Sequence, residues 1–382
     1  MSAPALCLRG AEVFLPMGFG PGDLTIAGGR IADADAARAV DLSGFLILPG
    51  LIDLHGDGFE HHLAPRRGAL GDLAAGLLSA EAELAAHGVT TAFLAQFLSW
   101  EGGMRGAGFA ARMLVALDEV RGTVATDLRA QLRLEVTGFE DYPALEEMVA
   151  RHGVGYVVFN DHLPHKALAE GKRPPRLTGQ ALKAGRSPEA HLALLRALHD
   201  RLPEVPERLA ALAGRLRLAG ARLGSHDDTT AQDRHAAHAI GAHIAEFPET
   251  IAAAEAARAL GDAVIMGAPN LVRGASHKGN AGARDMVARG LVDALASDYH
   301  APSLARAAFC LADEGICDLA SAWRLVSEGP ARVLGLEDRG TLAKGARADL
   351  VVIERATRRI GTTIAGGRIS YMAGEAAMRF LA

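Results

Sequence analysis

"FLILPGLIDLHGDGFEHH", residues 45–62, turns from apolar to polar within one residue. Phe45 to Leu54 is dominated by apolar residues, and a short run of that kind reads as a buried strand. His55, Asp57, Glu60, His61 and His62 follow at once, with Gly56 and Gly58 between them. Such a strand, ending on proton carriers and metal ligands, points to a site built at strand C-termini.

Working outward, further strand-like runs lie at 89–96, 131–137, 154–160, 219–225, 240–247, 262–267 and 293–298. Ala/Leu/Glu-rich stretches with helical spacing separate them, at 72–87, 107–121, 188–213 and 251–260. Strands alternating with helices in this number predict an α/β protein with a (β/α)8 TIM barrel. A doubly wound open sheet is the alternative, but no Gly-rich phosphate fingerprint follows the first strand. Segment 161–187 is basic and punctuated by Pro and Gly, and reads as an extended loop with the look of a lid.

The two ends of the chain share a phrase, because "IAGGRI" occurs at 26–31 and again at 364–369 beside β-like runs. Two similar Gly-Arg turns imply a small β-sandwich domain assembled from both termini. The expected division is therefore 1–48 plus 336–382 for the small domain, and 49–335 for the barrel.

The residues that end each barrel strand carry the chemistry. They are His55 and Asp57 after the first strand, Glu135 on the third, and Asp161 and His162 beyond the fourth. "SHDD" (225–228) follows the fifth, Glu246 ends the sixth, and "SDYH" (297–300) closes the eighth. A lone histidine is usually a surface or core residue, but this many strand ends bearing His, Asp or Glu indicate a metal site. Nitrogen and carboxylate donors without cysteine suit an open catalytic site for a divalent metal: zinc first, with manganese or iron as alternatives. His87, His152, His191 and His199 read as surface residues. His61 and His62 are candidate extra ligands, and His235 and His238 could orient a ligand from behind.

Composition narrows the class. At 382 residues with 49% hydrophobic residues and 44 glycines, the chain has room for a large α/β domain plus a small one. A net charge of -5 argues against nucleic acid as a partner. Cys7, Cys310 and Cys317 show no paired spacing, which suits a reduced, cytoplasmic setting. No signal peptide and no membrane-spanning run is read from the sequence.

With those residues in hand, the chain resembles the amidohydrolase superfamily over nearly its whole length. "FLILPGLIDLHGD" resembles the entry into that superfamily's first barrel strand, and "RGTLAKGARADLVVIE" (339–354) its return to the small domain. Within the superfamily, "SHDD", "IAEFP" (244–248), "MGAPNLVRGASHKGN" (266–280) and "SDYHAPSL" (297–304) resemble the diphosphatases of the carbon–phosphorus lyase pathway. That resemblance implies one or two divalent metals per chain, held by His55, Asp57, Glu135, His162, His226 and Asp298, with Glu135 bridging two ions or completing one. Asp57 stands where the commoner pattern has a second histidine. The two later histidines follow strands four and five, where the superfamily usually uses five and six.

The implied reaction is cleavage of α-D-ribose 1-methylphosphonate 5-triphosphate to the 5-phosphate and pyrophosphate. Asp298 would act as the catalytic proton acceptor. Arg273, Ser276, His277, Lys278 and Asn280 would bind the small anionic phosphorylated sugar, with Arg66 and Arg67 as a second clamp. The same site on a neutral substrate would make an amidohydrolase acting on an N-acyl sugar or a cyclic amide. A silent scaffold within a multi-protein complex is a third reading. A homo-oligomer is compatible with all three.

Overall fold

The computed structural model describes residues 5–382 apart from Met17, 34–36, 67–69 and 275–281. Among the described residues the strands form three sheets. The largest has eight strands in chain order: β1 (Leu51–Gly56), β2 (Val89–Leu98), β3 (Asp127–Glu135), β4 (Tyr156–Asn160), β5 (Arg222–His226), β6 (Ala242–Glu246), β7 (Ala263–Gly267) and β8 (Ala294–Ala296). A parallel bridge from Gly56 to Asp298 brings the chain just beyond β8 back to β1. The fold is a (β/α)8 TIM barrel with additional sheets from the terminal segments. Every residue of Val89–Leu98 is buried. Burial on both sides is typical of parallel strands covered on both faces, and all eight expected strands are present.

The chain divides into two compact units. The first comprises Met1–Leu94, Leu117–Arg129 and Ile265–Ala382. It contains a six-stranded sheet of Arg368–Met372, Ile360–Ala365, Leu350–Glu354, Phe45–Pro49, Glu12–Leu15 and Gly18–Pro21, in that order. A four-stranded sheet of Arg30–Ile31, Leu24–Ala27, Leu6–Arg9 and Arg38–Asp41 completes it. Leu8, Val13, Ile47, Leu350, Val352 and Ile364 share one buried core there.

One expected strand, 45–54, is two. Phe45–Pro49 pairs with Leu350–Glu354 in the six-stranded sheet, whereas Leu51–Gly56 is the first barrel strand. The switch falls on Gly50, where a Cβ would lie 2.4 Å from the Thr90 side chain, so only glycine passes this point. The repeated "IAGGRI" forms two hairpin turns. Gly28 and Gly29 have φ of 58° and 78°, and Gly366 and Gly367 have 56° and 76°. Paired positive φ values are those of the type I′ turn that strand twist favours. The two turns touch: a Cβ on Gly367 would come within 2.7 Å of the Gly29 Cα.

The second unit comprises Ala95–Ala116 and Ala130–Val264. In it β3, β4, β5 and β6 pair in parallel, with Glu135 opposite Asn160 and His226 opposite Glu246. Segment 161–187 is not an extended loop. It folds into helices His165–Ala169 and Leu177–Lys183, whose Leu168 and Leu177 pack with Leu195, Leu198 and Trp100. The stretch 188–213 is likewise two helices, Pro188–His199 and Val205–Leu218, parted at Leu202–Glu204. His191 is fully buried rather than at the surface. Its Nδ1 lies 3.5 Å from Arg186, and burial with that guanidinium pushes its pKa below the ordinary histidine value. No described helix is long and apolar enough to cross a membrane.

Candidate active site at the strand ends

In the first unit, β1 and the segment after β8 are locked by main chain. The N–H of Asp298 donates to the His55 carbonyl at 2.8 Å, and the N–H of Asp57 donates to the Asp298 carbonyl at 2.8 Å. Beneath them Asp53, wholly buried, accepts from Ser297 Oγ at 2.5 Å and from the Ser297 N–H at 2.9 Å. Burial raises the Asp53 pKa, and the Ser297 hydrogen bonds oppose the rise. Gly56 makes this packing fit, because a Cβ there would meet Asp53 Oδ2 at 2.6 Å and Ser297 Oγ at 3.0 Å. The sequence His55-Gly56-Asp57 therefore needs its glycine.

In the second unit the buried strand β3 presents Gln131, Arg133 and Glu135 on one face, at the two-residue period of a strand. Glu135 holds His162, with Oε1 2.5 Å from His162 Nδ1 and Oε2 accepting from the His162 N–H at 3.0 Å. Trp100 Nε1 donates to the same Oε2 at 3.2 Å. A carboxylate on Nδ1 fixes the tautomer and leaves Nε2 as the ring's ligating nitrogen.

His226 ends β5. Its Nε2 lies 2.9 Å from Arg133 Nη2. A guanidinium can only donate, so Nε2 is the acceptor in that contact, and Nδ1 stands 3.2 Å from Asp227 Oδ1. The Arg133 guanidinium also lies 3.9 Å from the Phe97 ring centre. Glu246 ends β6 fully buried and accepts from Tyr156 Oη at 2.7 Å and Gln131 Nε2 at 2.6 Å. Gly224 packs closely on β6, since a Cβ there would stand 3.0 Å from the Ile244 carbonyl oxygen. Burial beside Glu246 pushes the Tyr156 pKa well up, so it stays a donor.

Backbone strain gathers at the same ends. Among the described residues, Asp227, Phe247 and Asp298 have φ of 60°, 52° and 56°. Non-glycine residues at positive φ concentrate at functional sites.

Of the expected ligands, the first unit brings together His55, Asp57 and Asp298, and the second brings together Glu135, His162 and His226. Within the second unit, ligand atoms of His162, His226 and Asp227 lie within 4.8 Å of one another, a donor set that fits a divalent cation. His61 and His62 face Glu83 instead, with His62 Nε2 2.5 Å from Glu83 Oε2. Arg273 ends helix Ala268–Arg273, exposed, with Nη2 donating to Asn270 Oδ1 at 2.7 Å and its guanidinium 5.8 Å from the Tyr299 ring centre. Arg66 is exposed. Arg67, Ser276, His277, Lys278 and Asn280 lie outside the described residues.

Sequence reading passed over Arg133 and Asn160, and named Asp227 only within "SHDD" without a role. Asn160 is the sharpest omission: it ends β4 at 1% exposure, and neither Oδ1 nor Nδ2 has a hydrogen-bond partner. The polar alternation of "QLRLE" (131–135) was the available signal for Arg133.

Over 353 residues the chain is 35% identical to the α-D-ribose 1-methylphosphonate 5-triphosphate diphosphatase of Escherichia coli (strain K12), covering 87% of this chain and 91% of that protein. The chain belongs to the amidohydrolase family. The profile described as "Amidohydrolase family" matches residues 205–370. The amidohydrolase barrel superposes on a β-aspartyl dipeptidase from Fervidobacterium islandicum AW-1 with a TM-score of 0.64 at 15% identity, covering 97% of this chain and 99% of that one. It superposes on the N-acetylglucosamine-6-phosphate deacetylase from Pasteurella multocida with a TM-score of 0.63 at 11% identity, covering 96% and 99%. Likeness at that identity speaks for the amidohydrolase fold alone. The protein is a hydrolase of this family.

Proposed function

We propose that the protein is a divalent-metal-dependent diphosphatase that cleaves α-D-ribose 1-methylphosphonate 5-triphosphate to the 5-phosphate and pyrophosphate in the cytoplasm. The observation that carries this reading is the 35% identity, over 87% of the chain, to the Escherichia coli enzyme of that name. The donor set at the strand ends supports it.

The residues that would hold the metal are His55, Asp57, His162, His226 and Asp298. Glu135 acts on His162, whose Nδ1 it already engages at 2.5 Å. A divalent cation held there, zinc by the nitrogen-rich donor set, would supply Lewis acidity towards water and the phosphoryl oxygens. The Asp298 carboxylate takes a proton from the attacking water and passes it on as the pyrophosphate oxygen leaves. One bond forms from water oxygen to the phosphorus nearest the sugar, and the bond from that phosphorus to the pyrophosphate breaks. Arg273 balances charge on the transferred and leaving phosphoryl groups. Asn160, with a donor and an acceptor both buried without partners, receives a polar group of the substrate.

A substrate comparison tests this reading. Metal-replete protein should turn over a sugar 5-triphosphate and leave a neutral N-acyl sugar intact. Hydrolysis of the N-acyl sugar with the triphosphate untouched would replace it with the amide reaction.

A further inference from the structure

Strand β6 carries ionisable groups at both ends. Glu246 closes it, and His243 stands three residues earlier, roughly 10 Å away along an extended strand. There His243 Nδ1 lies 2.9 Å from Asp262 Oδ1, in the turn that leads to β7. His238, in the last turn of helix Ala231–Ala239, places its Nδ1 2.9 Å from the same oxygen and 3.0 Å from Oδ2. The two rings stand edge to face, with centroids 4.8 Å apart. Ligand atoms from all three residues lie within 4.8 Å of one another.

The support behind the carboxylate is unusual. Arg234 is fully buried, and its Nε lies 3.3 Å from Asp262 Oδ2. Its Nη1 donates to Ser225 Oγ at 2.8 Å and to Asp228 Oδ2 at 3.1 Å, and its Nη2 to the Ala242 carbonyl. The guanidinium is thus fixed on several sides and holds Asp262 through one oxygen. The other oxygen faces two imidazoles. The brace on Asp262 is an ion pair, and a carboxylate held from behind in this way is one that outer contacts have oriented as a metal ligand.

We propose that His238, His243 and Asp262 form a second divalent-cation site, for zinc or a similar imidazole-preferring metal, at the N-terminal end of β6. Two nitrogens and one carboxylate oxygen suit such an ion, with water completing the tetrahedron. Ligands at about 2.0–2.1 Å around a tetrahedral ion stand about 3.3 Å apart, so the 2.9 Å separations need open by only a few tenths of an ångström. The His238 and His243 side chains, 34% and 54% exposed, have the freedom to do so. The ion ties a helix end, a strand start and a turn together. The N-terminal face of a barrel serves stability rather than chemistry, so this ion is structural.

The test uses full-length, tag-free protein, its His243→Ala and His238→Ala variants, and the strand-end variant His226→Ala. Each is saturated with zinc, desalted and analysed for metal per chain, and its thermal unfolding is followed as zinc is added. The parent should hold one more zinc per chain than either peripheral variant, with turnover unchanged in both. At a zinc concentration 100 times the dissociation constant, the site should shift the parent's folding equilibrium about 100-fold, and this increment should vanish in His243→Ala. His226→Ala should keep the peripheral ion, which separates this site from the catalytic reading. Equal zinc content and an equal thermal response in parent and His243→Ala would overturn the proposal. If His243→Ala proves unstable without metal, His238→Ala and a cobalt difference spectrum against the parent decide the matter.

Discussion

The main-chain N–H of Asp298 donates to the carbonyl of His55 at 2.8 Å, so the proposed base is tied by backbone to a proposed metal ligand. Asp57 returns the contact, donating its own N–H to the Asp298 carbonyl at 2.8 Å. These links use no side-chain atoms of Asp298, and a change confined to its carboxylate should leave them intact. Asp298→Asn should therefore fold like the parent and lose about 10²–10⁴-fold in kcat, the range of a general acid–base group. Steady-state kinetics together with a melting curve check both halves. A variant within threefold of the parent would assign the proton to another residue.

Histidine ligands, which carry no share of the proton transfer, should leave a different signature from Asp298. His162→Ala and His226→Ala should lower metal content as well as rate. Glu135→Gln keeps the shape of the carboxylate but weakens its hold on His162 Nδ1, so it should weaken metal affinity about 10–100-fold, as expected of outer-contact changes. A competition titration against a chromophoric chelator measures this. Unchanged affinity would mean that Glu135 does not act through His162.

Arg273 reports on substrate charge. A hydrogen bond to a charged group contributes about 1.5–3 kcal/mol, so Arg273→Ala should cost one to two decades in kcat/KM on the triphosphate. The defect should shrink on the diphosphate, which has less charge to balance. An equal loss on both substrates would place Arg273 away from the phosphate chain.

Gly56→Ala tests the packing under β1. The added methyl would meet Asp53 Oδ2 at 2.6 Å, and Asp53 is a short, wholly buried side chain with little room to retreat. Overpacking of this kind costs about 1–3 kcal/mol, readable as a lower urea midpoint.

His191 gives a pH signature. Burial lowers its pKa in the folded protein, below the roughly 6.5 expected of the unfolded chain. The unfolded state then binds more protons as pH falls past that value. This contribution to stability is intact above the unfolded pKa and is lost as pH falls from there towards the folded one. Between pH 7.5 and pH 5.5 the urea midpoint should drop less in His191→Gln than in the parent. Equal drops would assign the proton uptake to other groups.

Much of the barrel was legible because strands buried on both faces write predominantly apolar runs, as at 46–54 and Ala263–Gly267. The break at Gly50 was not, since a strand leaving one sheet for another keeps its apolar pattern and only the Thr90 contact shows the switch. His191 misled for a related reason: a histidine on a helix gives no sign in sequence that Trp100 and Arg186 will cover it. The strand-end histidines and acids were readable as metal ligand types. Asn160 belongs to no ligand class, and its buried, unpartnered amide is visible only in three dimensions. The helices within 161–187 were hidden by a Pro/Gly-rich composition that local propensity reads as loop, whereas packing of Leu168 and Leu177 on Trp100 overrides it.

Phosphorus NMR of the reaction with α-D-ribose 1-methylphosphonate 5-triphosphate tests the central claim most directly. Pyrophosphate and the 5-phosphate monoester should grow in parallel, with turnover abolished by chelation and restored by added divalent metal. Release of orthophosphate alone, or a triphosphate left uncleaved by metal-replete protein, would contradict it.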